Sequence, residues 1–352
     1  MRLIILPGDG IGPEITEATT AVLGAASEAF QLGLEMEHDV VGLESFQRFG
    51  TTVKPELLDR VKAADGFVMG PTSTLDYKKG DEKQVGPSAF FRKNLDLYAN
   101  IRPARTYPGM KARLGQFDLV VVRENTEGFY ADRNMEAGNA EILVTPDVVV
   151  SLRKITRPAC LRIARSAFEL AQRRRNKVTA VHKANVLSRG DGMFLECCRL
   201  VGKDFPEVEL EEVIVDAMMA HVVRNPARFD VIVTTNMFGD ILSDLTAEMS
   251  GSLGLGGSLN AGADTAMAQA AHGSAPDIAG QGIANPASLI LSAALLLSWH
   301  GRRKGETRFV EAGTAIEQAM AASIEAGQCT RDIGGSLGTA AAGEAVASRL
   351  KR

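Results

Sequence analysis

The sequence predicts an α/β protein with a largely parallel sheet, and two observations carry that prediction. Short β-branched or apolar runs recur from the start of the chain to about residue 235, and amphipathic stretches with helical spacing separate them. The expected strands are Leu3–Leu6, Gly66–Met69, Leu119–Arg123, Thr179–His182, Val213–Val215 and Val231–Thr235. Between them lie helices such as Glu14–Phe30 and Ile155–Arg173. Beyond Thr235 the chain is rich in Ala and Gly and reads as helical, with no further strand expected.

A length of 352 residues allows one large core or two intimately joined domains. We expect one domain built from both termini, residues 1–98 plus 248–352, and a second from 99–247. Residues 132–147 fit no helix or buried strand and are expected to form a protruding arm used in dimerisation. The composition, 45% hydrophobic and 23% charged, is that of a soluble globular protein. A net charge of −4 without a basic stripe excludes a dedicated nucleic-acid binder. Arg173, Arg174 and Arg175 read as the cationic end of a helix.

The cysteines Cys160, Cys197, Cys198 and Cys329 show neither metal-ligand nor disulfide-scaffold spacing, so buried free thiols are expected. The longest apolar run, Ala287 to Trp299, is broken by serines and too short to span a bilayer. No membrane association is expected. With no secretory leader before the first strand, the expected location is a reducing cytoplasm.

The run DVIVTTNMFGDILSDL holds the most informative pair. Val231–Thr235 reads as a buried strand, Asn236–Gly239 as a turn, and Ile241, Leu242 and Leu245 take helical spacing. Asp240 and Asp244, four residues apart, therefore project from one face. Two oxygen ligands there suit Mg2+ or Mn2+, although an isolated pair of this kind is more often a solvated helix face. Asp216, at the end of the run EEVIVD, is a candidate third ligand.

Near the N-terminus, Gly8-Asp9-Gly10-Ile11-Gly12-Pro13 joins a strand to a helix, the context of a dinucleotide fingerprint. Its third glycine would fall where Pro13 stands, so a tight structural turn is at least as good a reading. Arg92, Arg102 and Arg123 are candidates to bind carboxylates bidentately. Tyr130 and Lys183 are candidate proton carriers.

The motifs GDGIGPE, DLYANIRP, RENTEG, HKANV, FDVIVTTNMFGDILSD and HGSAPDIAGQGIANP occur in this order from Leu3 to about Leu297. This ordered set resembles the β-decarboxylating dehydrogenases, which act on isopropylmalate, isocitrate, homoisocitrate, tartrate or malate. It is most similar to the homoisocitrate type, through RENTEG and KANVL. The resemblance implies the isopropylmalate/isocitrate dehydrogenase-like fold, two α/β domains around an interdomain cleft, and not a typical Rossmann fold. The larger domain would bind the cofactor, and the smaller would carry the metal, substrate and dimer contacts.

It implies a homodimer with shared active sites. Asp240 and Asp244, with Asp216 from the other subunit, would hold Mg2+ or Mn2+. Arg92, Arg102 and Arg123 would clamp the carboxylates of a di- or tricarboxylic 2-hydroxy acid. Lys183, from the other subunit, would take the hydroxyl proton, and Tyr130 would protonate the enol carbon. His272, Gly273, Ser274, Ala275, Pro276, Asp277 and Ile278, with Asn285, resemble the adenosine-binding loop.

A carboxylate at Asp277 accepts hydrogen bonds from both ribose hydroxyls and repels a 2′-phosphate, which favours NAD over NADP. NADP-dependent relatives carry Lys-Tyr at that position. Relatives also carry a glutamate where this chain has Gln269.

The substrate's C3 substituent should be read by residues before Arg92, Ser88 among them. Bacterial isopropylmalate enzymes have paired leucines where Ser88 and Ala89 stand. The expected function is oxidative decarboxylation of a 3-substituted malate, with D-malate or tartrate as the alternative substrate. An inactive regulatory subunit is a remote alternative, since such chains lose residues that this one keeps.

Overall fold

The computed structural model describes residues 1–110, 114–130 and 140–351. Its internal contacts divide the chain into two units. The first is Met1–Leu95, Thr106–Ala112 and Ser250–Arg352, and the second is Asp96–Arg105 and Arg113–Met249.

The first unit opens on β1 (Arg2–Leu6), whose side chains from Leu3 onward are buried. Helix α1 (Gly12–Ala29) follows, with Pro13 in its first turn, where a missing N–H costs nothing. The unit continues through β2 (Glu35–His38), α2 (Leu43–Phe49), α3 (Pro55–Lys62), β3 (Gly66–Met69) and α4 (Pro87–Asn94). β1 lies between β2 and β3, parallel to both. Phe91 of α4 is fully buried and packs against Phe67 of β3 with ring centroids 5.0 Å apart. That contact fixes which face of α4 points away from the sheet.

The second unit contains β4 (Ala99–Arg105), β5 (Asp118–Glu124), a ribbon of β6 (Glu141–Thr145) and β7 (Val148–Ser151), and α5 (Arg157–Ala171). Then come β8 (Lys177–His182), α6 (Gly190–Gly202), β9 (Glu209–Ile214), α7 (Val215–Arg224), β10 (Val231–Thr234) and α8 (Asn236–Met249). Its sheet runs β4-β5-β10-β8-β9, parallel except for β4, which is antiparallel to β5.

Strand alternation divides this core into two layers. Val120, Val122, Val178, Ala180, Val231 and Val233 face one way, with Ile163, Phe168 and Phe194 from α5 and α6. Leu119, Val121, Val181 and Ile232 face the other way, with Met218, Val222 and Leu242 from α7 and α8. Burial on both faces explains why these strands read as continuous apolar runs.

The chain then returns to the first unit as β11 (Leu259–Ala261), β12 (Ala266–Gln269), α9 (Ala287–Lys304), α10 (Thr307–Glu325) and α11 (Thr339–Ser348). β11 and β12 form an antiparallel hairpin closed by the Gly262 N–H donating to Thr265 O at 2.9 Å, and β12 pairs parallel to β3. They overturn the expectation of no strand after Thr235. Both are short runs of small or flexible residues whose extended state comes from pairing and full burial, not from propensity.

Other details also differ from expectation. Asn236–Gly239 is the first turn of α8 and not a preceding turn, and Asp216 lies in the first turn of α7 and not at a strand end. Helix α5 stops at Ala171, short of the arginine run, whose Arg174 instead pairs with Asp118 at 2.8 Å and the buried Asp230 at 2.7 Å.

The described ribbon begins at Glu141, later than the expected 132–147 arm, and residues 131–139 lie outside the described residues. All four cysteines are free and buried. Among the described residues, no helix is long and apolar enough to cross a membrane.

Candidate active site

Helix α8 presents Asp240 and Asp244 one turn apart, and β4 and β5 aim two arginines at them. Arg102 Nη1 donates to Asp244 Oδ1 at 2.9 Å and lies 3.6 Å from Asp240 Oδ1. Arg123 also donates to Asp240 Oδ1, and Tyr130 Oη donates to Oδ2 at 3.2 Å. The tyrosine ring centroid is 5.8 Å from the Arg123 guanidinium carbon. Arg102, Arg123, Tyr130, Asp240 and Asp244 thus form one cluster on the second unit.

Neutral side chains hold both guanidinium groups in place. Asn236 Oδ1 accepts from Arg123 Nε at 2.9 Å and Nη2 at 2.6 Å, while its own amide donates to Glu127 O at 2.9 Å. Asn100 Oδ1 accepts from Arg102 Nε at 2.6 Å, and Ser243 Oγ accepts from its Nη1 at 2.7 Å. The sequence reading missed these three residues. Asn236 was findable, since it lies one turn before Asp240 on the same helix face.

Arg123 is only 2% exposed, and a charge so buried needs partners. Asp240 and Asn236 supply them and leave the fork directed at the acidic end of the cluster.

The acid pair fits a hard divalent cation. Both carboxylates are oxygen donors at one helical turn, and Asp244 Oδ2 accepts no hydrogen bond among the described residues. Partial burial raises the Asp244 pKa, and the Asp240 charge adds to this against the pull of Arg102. A bound cation would offset the burial penalty on the Asp244 carboxylate. Among the described residues, no three His, Cys, Asp or Glu side chains come together as a cage. Asp216 is therefore not assembled with this pair inside one chain.

Asp216 instead accepts from Lys183 Nζ at 2.6 Å, which holds its carboxyl below the usual range. Lys183 follows directly on β8. Its backbone N–H donates to Asp191 Oδ2 at 2.6 Å, and Asp191 Oδ1 accepts from Arg153 at 2.6 Å. Asp191 is fully buried, so it fixes the point from which the lysine side chain departs.

On the first unit, Ser88 and Arg92 lie one turn apart on α4. Both reach Gln269 at the end of β12, with contacts to Oε1 of 3.0 Å from Ser88 Oγ and 3.2 Å from Arg92 Nη2.

The glycine loop after β1 proves to be a scaffold for the loop at 272–278. Asp9 is buried; its Oδ1 accepts from the Leu43 N–H at 2.7 Å and its Oδ2 from the Ser73 N–H at 2.8 Å and from the Tyr77 hydroxyl. Ile11 N–H donates to Ser274 O at 2.8 Å, and Ser73 Oγ bonds Ser274 Oγ at 2.8 Å. Gly10 has φ +59°, and a Cβ there would lie 2.0 Å from Ser274 O, so only glycine allows this approach.

The rest of the predicted adenosine loop lies in the same unit. Gly273, Ala275, Pro276 and Asp277 are exposed, Ile278 is half-buried, and Asn285 Nδ2 donates to Asp332 Oδ2 at 2.9 Å. Burial lowers the His272 pKa, and its Nε2 is buried with no hydrogen-bond partner. An orphaned ring nitrogen in a loop that also carries the exposed Asp277 carboxylate fits an adenosine-type ligand.

The sequence pattern of the isocitrate/isopropylmalate dehydrogenase family matches residues 2–346. A 3-isopropylmalate dehydrogenase of Archaeoglobus fulgidus is 40% identical over 350 residues, covering 99% of both chains. An isocitrate/homoisocitrate dehydrogenase of Thermus thermophilus is 41% identical over 351 residues, covering 99% of this chain and 98% of its own. The crystal structure of isocitrate dehydrogenase from Methylococcus capsulatus superposes with a TM-score of 0.87 at 38% identity, covering 100% of this chain and 99% of that one. The chain belongs to the isocitrate/isopropylmalate dehydrogenase family and has its fold.

Proposed function

We propose that the chain catalyses NAD- and Mg2+- or Mn2+-dependent oxidative decarboxylation of a malate substituted at C3. The observation that carries this reading is the cluster of Arg102, Arg123, Tyr130, Asp240 and Asp244. It joins cations for carboxylates, an acid pair for a metal and a hydroxyl that can pass a proton. Relatives at 40% and 41% identity are named for isopropylmalate and for isocitrate/homoisocitrate, so kinship alone leaves the C3 substituent open.

Asp240 and Asp244, with Asp216 from a second subunit, would hold the cation. When bound, NAD would supply the hydride acceptor, and the cation would supply positive charge where negative charge collects on oxygen. Arg102 and Arg123 bind and orient the carboxylates, with Arg92 as a third clamp. Lys183 Nζ takes the C2 hydroxyl proton, and Tyr130 Oη returns a proton to C3.

The β6–β7 ribbon supports a homodimer. Leu143 is 69% exposed and Val149 57%, and a two-stranded ribbon with both faces in water is marginal by itself. In the homodimer we infer, Lys183 and Asp216 of one subunit would complete the other subunit's acid pair.

Two measurements test the metal and cofactor assignments separately. Asp240→Asn should weaken Mn2+ binding by roughly tenfold or more, read by calorimetry; unchanged affinity removes the acid pair from the metal site. Asp277→Lys should reduce kcat/KM for NAD by about tenfold and raise that for NADP, because the 2′-phosphate meets a cation and not a carboxylate. An unchanged NAD/NADP ratio would place the adenosine site elsewhere.

A further inference from the structure

Gln269 ends β12 with little freedom. Its N–H donates to Ser258 O at 3.1 Å, its O accepts from Ser292 Oγ at 3.0 Å, and the residue is 6% exposed. Chemistry fixes which way its amide points. Arginine has only donors, so the atom facing Arg92 Nη2 at 3.2 Å must be the carbonyl oxygen. The same oxygen accepts from Ser88 Oγ at 3.0 Å, which fills both of its lone pairs. The Nε2 group is then turned away from Arg92 and Ser88. It has no partner among the described residues and is not among the fully buried polar atoms that lack one, so it keeps access to solvent.

Arg92 thus offers a cation and Ser88 hydroxyl lone pairs, and Gln269 turns two amide N–H donors to its other side. No anion and no aliphatic side chain belongs to this trio. A branched alkyl group placed against the Gln269 Nε2 donors would strip water from them and return nothing.

We propose that Gln269 selects the substrate: its Nε2 donates to a hydrogen-bond-accepting oxygen on the C3 substituent of the 2-hydroxy acid. The site then favours a carboxylate- or hydroxyl-bearing substituent over a branched alkyl one. This rests on the hydroxy-acid reading above and adds a residue that acts on specificity.

The test is calorimetric binding of isocitrate, tartrate and 3-isopropylmalate, with Mn2+ present, to the wild type, Gln269→Met and Gln269→Glu. NADH and CO2 are assayed on the same preparations. In the wild type, an oxygen-bearing acid should bind roughly tenfold or more tightly than 3-isopropylmalate. Gln269→Met should bring the ratio to within about threefold.

Gln269→Glu keeps an acceptor for Ser88 and Arg92 but loses the N–H groups. It should also lose selectivity, because a carboxylate held by Arg92 cannot donate. Loss in a variant that keeps this acceptor separates donation to the ligand from simple holding of α4. A wild type that prefers 3-isopropylmalate, or a Gln269→Glu variant with wild-type selectivity and normal NADH and CO2 output, overturns the assignment of Gln269 alone. Selective binding without NADH and CO2 overturns the proposed reaction and leaves the assignment standing.

Discussion

Lys183→Met is expected to lower kcat by about 10²–10⁴-fold, the range for losing a positioned general base. NADH binding, followed by fluorescence, should stay within about twofold of wild type. The reason is positional. Lys183 is anchored through its backbone to the buried Asp191, and its amine pairs with the exposed Asp216. Methionine keeps the length and the backbone bond and removes only the amine. Full turnover would exclude Lys183 from proton transfer. Equal losses in kcat and NADH affinity would indicate a folding defect.

Gly239→Ala is expected to damage both stability and activity, against the usual preference for alanine in a helix. Helix propensity alone favours alanine by about 1 kcal/mol. A Cβ at this position, however, would lie 2.6 Å from Arg123 Cγ, 2.7 Å from Arg123 Cβ and 3.2 Å from Thr234 Cγ2. The arginine atoms are near its backbone, in a strand paired on both sides, so they cannot swing clear.

Overpacking of that kind costs about 1–3 kcal/mol, which equals or exceeds the propensity gain. A displacement of Arg123 approaching ~1 Å would reduce kcat/KM by up to about a hundredfold. Thermal melts and kinetics with the turned-over acid check both effects. An unchanged melting temperature with unchanged kcat/KM would show that β5 gives way freely.

Much of this site was legible in the sequence because its residues stand at element ends. Asp240 and Asp244 follow a β-branched strand at helical spacing, and Arg102 and Arg123 lie in strands β4 and β5 whose register places both before α8. β4 itself was not anticipated as a strand: ANIRPAR contains Pro103 and two arginines and is extended because it pairs with β5.

β11 and β12 were hidden for a related reason, since alanine, asparagine and methionine carry no strand signal. Gln269 therefore stood out as a residue type, while its contact with Ser88 and Arg92, 181 and 177 positions away, required the fold. The glycine loop shows the opposite case. Its context allowed a phosphate cradle or a tight structural turn, and the fold decides for the turn: Asp9 is committed to Leu43, Ser73 and Tyr77 and supports the loop at Ser274.

The central claim is tested most directly by supplying the protein with NAD, Mn2+ and, in turn, 3-isopropylmalate, isocitrate, homoisocitrate, D-malate and tartrate, and measuring NADH and CO2 together. The account predicts strong turnover of at least one acid, with one CO2 released per NADH formed. NADH without CO2 would contradict it, as would no product from any of these acids by protein that binds NAD and Mn2+.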